Sequence, residues 1–340
     1  MSRQNSERRE WTRRGVVSAI AAVSCGLAGC GNSQSPESDR NESSAQPSEV
    51  EQRSEQVLAV ESRLERVYEH LRTLPIADDG DFVFDVTAFE DEFDHREISD
   101  RTDEIVADIV ELDEGGEISS NRAETLSTLA RLADDRASQR YLLHQTIAAT
   151  FAYDERVRDA RYDAAREPVI FASERLEELS TVGQRVETHQ QRLDDASVTI
   201  EGYSHEAVKR EQAMLLDVAA WLSPVSRALH EMARGYTVLA DANQSLENDA
   251  PSTASEQYRA AHARFETASE AFTEARGRGQ RVGYIVPIVE QSRCSLSGLL
   301  DGTDTLAEAI EEIEAGNEQE GKSLAREAIE RMEQQRNRCD

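Results

Sequence analysis

The sequence predicts an all-α protein, an elongated antiparallel bundle of long helices with coiled-coil-like packing, preceded by a signal peptide and a disordered tether. Three observations carry this. From residue 48 onward apolar residues recur at alternating intervals of three and four, the spacing of one face of a helix packed lengthwise on another. The breaks between these runs are Gly, Pro and Asn. No region alternates strand patterns with helix patterns, which excludes the α/β architectures of solute-binding proteins and hydrolases.

Residues 1–29 are targeting matter, set aside before any fold reasoning. A polar, basic head ends in Arg13-Arg14, and an apolar stretch follows over residues 16–28. Those 13 residues fall short of the ~20 that span a bilayer as a helix. The arginine pair before a weakly apolar stretch resembles twin-arginine export signals. Leu27-Ala28-Gly29-Cys30 resembles the lipobox of lipoproteins. Together these resemblances imply export in folded form directed by Arg13 and Arg14, and a lipid on Cys30. The mature chain would then sit on the outer face of the cytoplasmic membrane. One acyl chain binds a membrane only marginally, so a second chain or a neighbouring partner is expected to share the anchoring.

Residues 30–47 are rich in Ser, Asn, Gln, Glu and Pro, with no apolar period, and read as a disordered tether. As a random coil they span ~20–25 Å on average. Asn41-Glu42-Ser43 within them is a glycosylation sequon at Asn41.

The helical domain is expected over residues 48–340, with a possible subdivision near 200. Ser48-Glu49-Val50-Glu51 has capping-box spacing. Val57, Val60, Leu64, Val67, Leu71 and Leu74 form the first seam, stopped by Pro75. Asp79-Gly80-Asp81 marks a turn, and Phe82, Val86, Phe89 and Phe93 fit either one helix face or a short strand before a helix. Ile98, Ile105, Ile109 and Leu112 make a shorter helix ending at Gly115-Gly116. A long helix is expected over 120–166, and another after Pro168 through Leu176, Leu179, Val186 and Leu193. Beyond Gly202 one seam runs from Val208 through Leu215, Leu222, Leu229, Met232, Tyr236 and Leu239 to Leu246. Ala254, Tyr258, Ala261, Phe265, Ala268, Phe272 and Ala275 then alternate small with large, as closely packed helices do. A final pair, 287–315 and 318–338, turns at Gly316-Asn317. The alternation and this last hairpin resemble tetratricopeptide-type helix pairs. Those repeats are equal and 34 residues long, whereas these helices are unequal.

Charge narrows the partners. Beyond residue 30 the chain holds 33 basic and 65 acidic residues, net −32, and only Lys209 and Lys322 are lysines. Such an acidic, lysine-poor, low-aromatic chain resembles proteins of salt-adapted archaea. In molar salt the Debye length is ~3 Å, so crowded carboxylates repel little. Nucleic acid is excluded as a partner, because phosphate binding needs clustered Lys and Arg.

Chemistry is sparse. The histidines (His70, His95, His144, His189, His205, His230 and His262) show no zinc spacing, and no paired-cysteine motif occurs. Glu92-Phe93-Asp94-His95 has the Glu-x-x-His form of di-iron bundles. In so acidic a chain about one such match arises by chance among seven histidines, and a di-iron site needs two. No nucleophile elbow, phosphate loop or dinucleotide fingerprint appears; Gly277-Arg278-Gly279 reads as a loop. Pro224 lies deep in the longest helix near Trp221, His230 and Arg234; it frees the Ala220 carbonyl and bends the helix around its neighbours, with Trp221 as core filler.

Two cysteines remain in the mature chain. Cys294 and Cys339 stand 22 residues before Gly316 and 22 after Asn317, so an antiparallel hairpin sets them level and a disulfide between them is expected. In a regular helix, however, Cys294 points away from the seam of Leu296, Leu299, Leu306 and Ile313. Either Gly298 and Asp301-Gly302 break that regularity, or Cys294 precedes the helix. The function expected from all this is non-catalytic: a lipid-anchored surface protein, without cofactor or metal, presenting a helical face to a protein partner at the cell envelope. The alternative is a lipoprotein that captures a ligand or metal for a transporter.

Overall fold

The computed structural model describes residues 49–73, 77–78, 81–82, 84, 94–193, 200–279 and 281–339. Residues 47–340 form one compact unit, and it is all-α apart from a two-residue ladder. The helices are α1 (Glu49–Thr73), α2 (His95–Glu114), α3 (Ser120–Arg158), α4 (Tyr162–Leu193), α5 (His205–Glu247), α6 (Pro251–Arg276), α7 (Val286–Glu314) and α8 (Glu318–Cys339). Strands β1 (Ala77–Asp78) and β2 (Asp81–Phe82) pair antiparallel, Ala77 opposite Phe82. Phe82 therefore belongs to a ladder and not to a helix face. Val86, Phe89 and Phe93 lie outside the described residues, as do Ser48, Leu74 and Pro75.

Helix starts follow local chemistry. Asp94 accepts from the amides of Arg96 and Glu97, Ser119 from Arg122 and Ser204 from Ala207, each satisfying donors that the first turn leaves open. Pro251 opens α6, where a missing N–H is harmless.

The break after α3 falls earlier than the sequence predicts. α3 ends at Arg158, not at 166, and the chain turns through residues 159–161 with Ala160 at φ 55°. Pro168 lies inside α4 rather than before it. A proline there cannot donate to the carbonyl of Ala164. Arg156 donates to that carbonyl instead, Nη1 to O at 2.5 Å, so the helix carries the proline without an orphaned acceptor.

Each helix packs against the next in chain order, α2 on α1 through α8 on α7. The expected seams are buried: Val57, Val60, Leu64, Val67 and Leu71 on α1, and Val208, Leu215, Val218, Leu222, Val225, Leu229 and Met232 on α5. Leu246 departs from this, being exposed, and Ala242 is the buried residue near that end. The alternation on α6 is wholly buried; Phe265 lies so close to Gly235 of α5 that a β-carbon there would meet its ring.

Three apolar clusters result. One joins α1, α2 and the first half of α3 to Val186, Leu193, Ile200 and Val208. A second, larger one spans the rest of α3 to α7. The third closes α7 and α8 onto α5 and α6 around Tyr258, Leu306 and Ala328. The division between the first two crosses α3 between Ala137 and Leu142, α4 between Val182 and Val186, and the first turns of α5 between Val208 and Met214.

Candidate binding faces

A buried polar layer separates the first two clusters. Both oxygens of Glu211 on α5 accept hydrogen bonds from α3: Arg136 Nη2 at 2.6 Å, and Arg140 Nε and Nη2 at 3.1 and 3.0 Å. Arg140 Nη1 also donates to the Leu71 carbonyl of α1 at 2.5 Å. Burial alone would push the Glu211 carboxyl up, but the two guanidiniums bring it down to about 2. On α4, Arg185 donates to Asp135 at 2.7 and 2.9 Å, and His189 stands 3.3 Å from the same carboxylate. Glu211 thus joins three helices.

Exposed large apolar residues are spread over the described helices, and three of them border the grooves on α4. Ile170 (44% exposed), Phe171 (37%) and Leu216 (46%) lie on α4 and α5, away from the seams. Two grooves meet along Ile170-Phe171. Between α3 and α4 a groove of about 490 Å³ has a floor of Ala148, Ala149 and Ala152, with Tyr141, His144 and Phe171 beside it. Between α4 and α5 a groove of about 690 Å³ has Ala219, Ala220 and Ser223 as its small residues, with Ile170 and Leu216 beside them. Glu174 and Glu177 border this second groove on α4, and Arg227 and Arg278 border it while both engaging Glu274. His230 lines it too, and burial lowers its pKa.

Pro224 thus sits in a continuous helix, with Ala220 lining the groove and Trp221 filling the core at 2% exposure. Arg234 is engaged by Glu231 at 2.9 Å. The Glu-x-x-His match dissolves into structural roles: Asp94 caps α2 and His95 stacks on Tyr141 with ring centroids 3.7 Å apart. Glu92 lies outside the described residues. Among the described residues no group of three potential metal ligands converges, and no helix is long and apolar enough to cross a membrane. Arg13, Arg14, Cys30 and Asn41 lie outside the described residues.

Cys294 and Cys339 are joined, with Cα atoms 5.6 Å apart. The apparent misdirection of Cys294 has a simple resolution, and it corrects the expectation of a break in the helix. α7 is unbroken and presents two faces. Leu296, Leu306 and Ile310 are buried, whereas Cys294, Gly298 and Gly302 form a stripe of small residues toward α8. A β-carbon on Gly298 would meet Gln335, and one on Gly302 would meet Met332. Ile313, expected in the seam, is exposed and lies against Gly321.

The exposed ridge had a signal in the sequence that seam counting passes over. A seam needs one apolar residue per turn, yet Val169-Ile170-Phe171 and Leu215-Leu216 supply runs. The extra residues are those facing outward. No protein-family model, no curated protein and no solved structure matches the chain.

Proposed function

We propose that this is a lipid-anchored, extracytoplasmic protein that works by binding a protein partner at the cell envelope, not by catalysis. One observation supports the reading above others: two helix-lined grooves converge on an exposed apolar ridge at Ile170-Phe171. Floors of Ala and Ser between bulkier walls suit the ridge of another helix. The occupant proposed is one amphipathic helix of a membrane-associated protein, its apolar stripe on Ile170, Phe171 and Leu216 and its basic edge toward Glu174 and Glu177. The anchor at Cys30 confines both partners to one surface, where even a modest affinity suffices.

A photo-crosslinkable residue in place of Phe171, expressed in cells kept in high salt, tests this. One defined adduct is expected, absent when the same residue replaces exposed Glu330 on α8. Equal adduct patterns at the two positions, or none at either, would refute the reading.

A further inference from the structure

A cavity of about 330 Å³ lies between the end of α3, the start of α4, the second half of α5, and helices α7 and α8. That volume is at the small end of the range that holds small molecules. Its wall has two kinds of surface. One is aromatic: Tyr162 stacks on Tyr236 with ring centroids 4.8 Å apart, and both residues are half-buried. Leu239 and Leu299 extend this surface, as does the ring of Tyr153, whose hydroxyl is enclosed by the protein.

The other surface is polar, and α3, α5, α7 and α8 all contribute to it. Asp154 and Glu333 can only accept hydrogen bonds, and Arg158 and Arg336 can only donate them. Asp154 and Arg158 pair at 2.5 Å, the carboxylate inside at 16% side-chain exposure and the guanidinium at the rim at 64%. Each of these ions has more hydrogen-bonding positions than one such contact uses. Asn243, Gln291, Ser292 and Ser295 also line the cavity, and their side chains can both donate and accept. Ser295 Oγ donates to the Gln291 carbonyl at 3.1 Å, which leaves its lone pairs to accept. Asn243 Oδ1 accepts from the Tyr258 hydroxyl at 2.6 Å, which leaves its amide N–H groups to donate. The two positive and two negative charges of the lining cancel.

We infer that this cavity binds one neutral pyranose, as a free sugar or as the end unit of a glycan. Hydroxyls are small uncharged groups that both donate and accept, so a ring bearing several answers carboxylates, guanidiniums, amides and serines alike. An uncharged ligand suits a lining without net charge, where an added ion would lie uncompensated. A ring suits the tyrosine pair. The C–H hydrogens on the face of a sugar carry partial positive charge and pack on the negative face of an aromatic ring. An open-chain polyol has the hydroxyls but no such face. α8 supplies Met332, Glu333 and Arg336, and it is tied to α7 by the Cys294–Cys339 bridge and by Gln335, whose Nε2 donates to the Cys294 carbonyl at 2.9 Å. The site shares no residue with the two grooves at the Ile170-Phe171 ridge and does not depend on the partner proposed there.

Titrations of the purified mature protein in molar KCl, read by saturation-transfer NMR, test the inference. The probes are glucose, galactose, mannose and their methyl pyranosides. Mannitol, which has the hydroxyls without a ring, and cyclohexylmethanol, a ring with one hydroxyl, are the comparisons. At least one of the three hexoses is expected to bind about tenfold more tightly than either comparison, the range of two neutral hydrogen bonds. Binding of its methyl pyranoside as well would make the ligand the end of a glycan; exclusion of the methyl pyranoside would make it a free sugar. Ser292→Ala removes one hydroxyl from a helix that accepts alanine readily, and should weaken that hexose about fivefold. Ser292→Leu should fill the space and abolish binding. Failure of all three hexoses to bind would overturn the inference. So would mannitol or cyclohexylmethanol binding as tightly as the best hexose, or binding that neither Ser292 variant weakens.

Discussion

Glu211 and Tyr153 are both buried polar groups on long helices, and their surroundings are opposite. Glu211 has two guanidiniums on its oxygens, and through Arg140 a carbonyl of a third helix. Tyr153 has no partner in the protein and a cavity beside it. The difference teaches how to separate architecture from recognition in a chain with so many charges. A polar group fully answered by its own fold is a fastener. One left without a partner fastens nothing, and its burial is carried by the ring it is attached to.

The strongest way to break the contrast is to unmake the fastener. Glu211→Gln leaves Arg136 and Arg140 buried without a counter-charge, an expected loss of about 3–5 kcal/mol in urea unfolding at neutral pH and molar KCl. Acid should do the same to the native protein. The folded-state pKa of Glu211 is depressed from 4.5 to about 2, so its stabilisation is complete above pH 4.5 and fades as pH falls toward 2. An acid limb of the stability profile that is unchanged in Glu211→Gln would show that other carboxylates set it.

Cys339→Ser acts on the other side of the comparison. The bridge spans 45 residues of sequence, and opening it is expected to cost roughly 3–4 kcal/mol. The groups that hold Glu211 lie on α3 and α1 and not on α7 or α8, so the acid limb of the stability profile should stay in place. Free thiols at both positions in the denatured, unreduced mature protein would refute the bridge itself. The smallest effect sharpens the contrast most. Tyr153→Phe removes a hydroxyl without a partner and should leave the unliganded protein equally stable or more so, by up to about 1 kcal/mol. A loss larger than that would mean the hydroxyl is already satisfied, and the two sites would no longer differ in kind.

Much of the fold was legible because helix seams are periodic, and periodicity survives without knowledge of the neighbours. The seams of α1 and α5, the α6 alternation and the final hairpin could all be read this way. The α3–α4 break could not. Pro168 suggested an end, but Arg156 supplies the missing donor from another helix, a long-range fact that no local pattern contains. Cys294 was misleading for a related reason: a helix with two packing faces has two patterns superposed, and the one built from Cys294, Gly298 and Gly302 is written in small residues. Glu211 was invisible among 67 acidic residues, since nothing in its spacing distinguishes a buried carboxylate from a solvated one. Tyr153 occupies an ordinary seam position, and only the packing around it reveals an unmet hydroxyl.

The placement of the Glu211 layer, in the middle of α3, the first turns of α5 and the last turn of α1, bears on alignment. Long seams of Val, Leu and Ala tolerate sliding, because a shift of one turn, about 5.4 Å, brings apolar residues opposite apolar residues again. The ionic contact has no such second solution. Arg136 and Arg140 stand one turn apart, so shifting α5 by a turn relative to α3 would carry Glu211 out of reach of at least one of them and leave that guanidinium buried without its counter-charge. The layer therefore acts as an index mark: among the many translational settings that the oily stripes would accept, it leaves one.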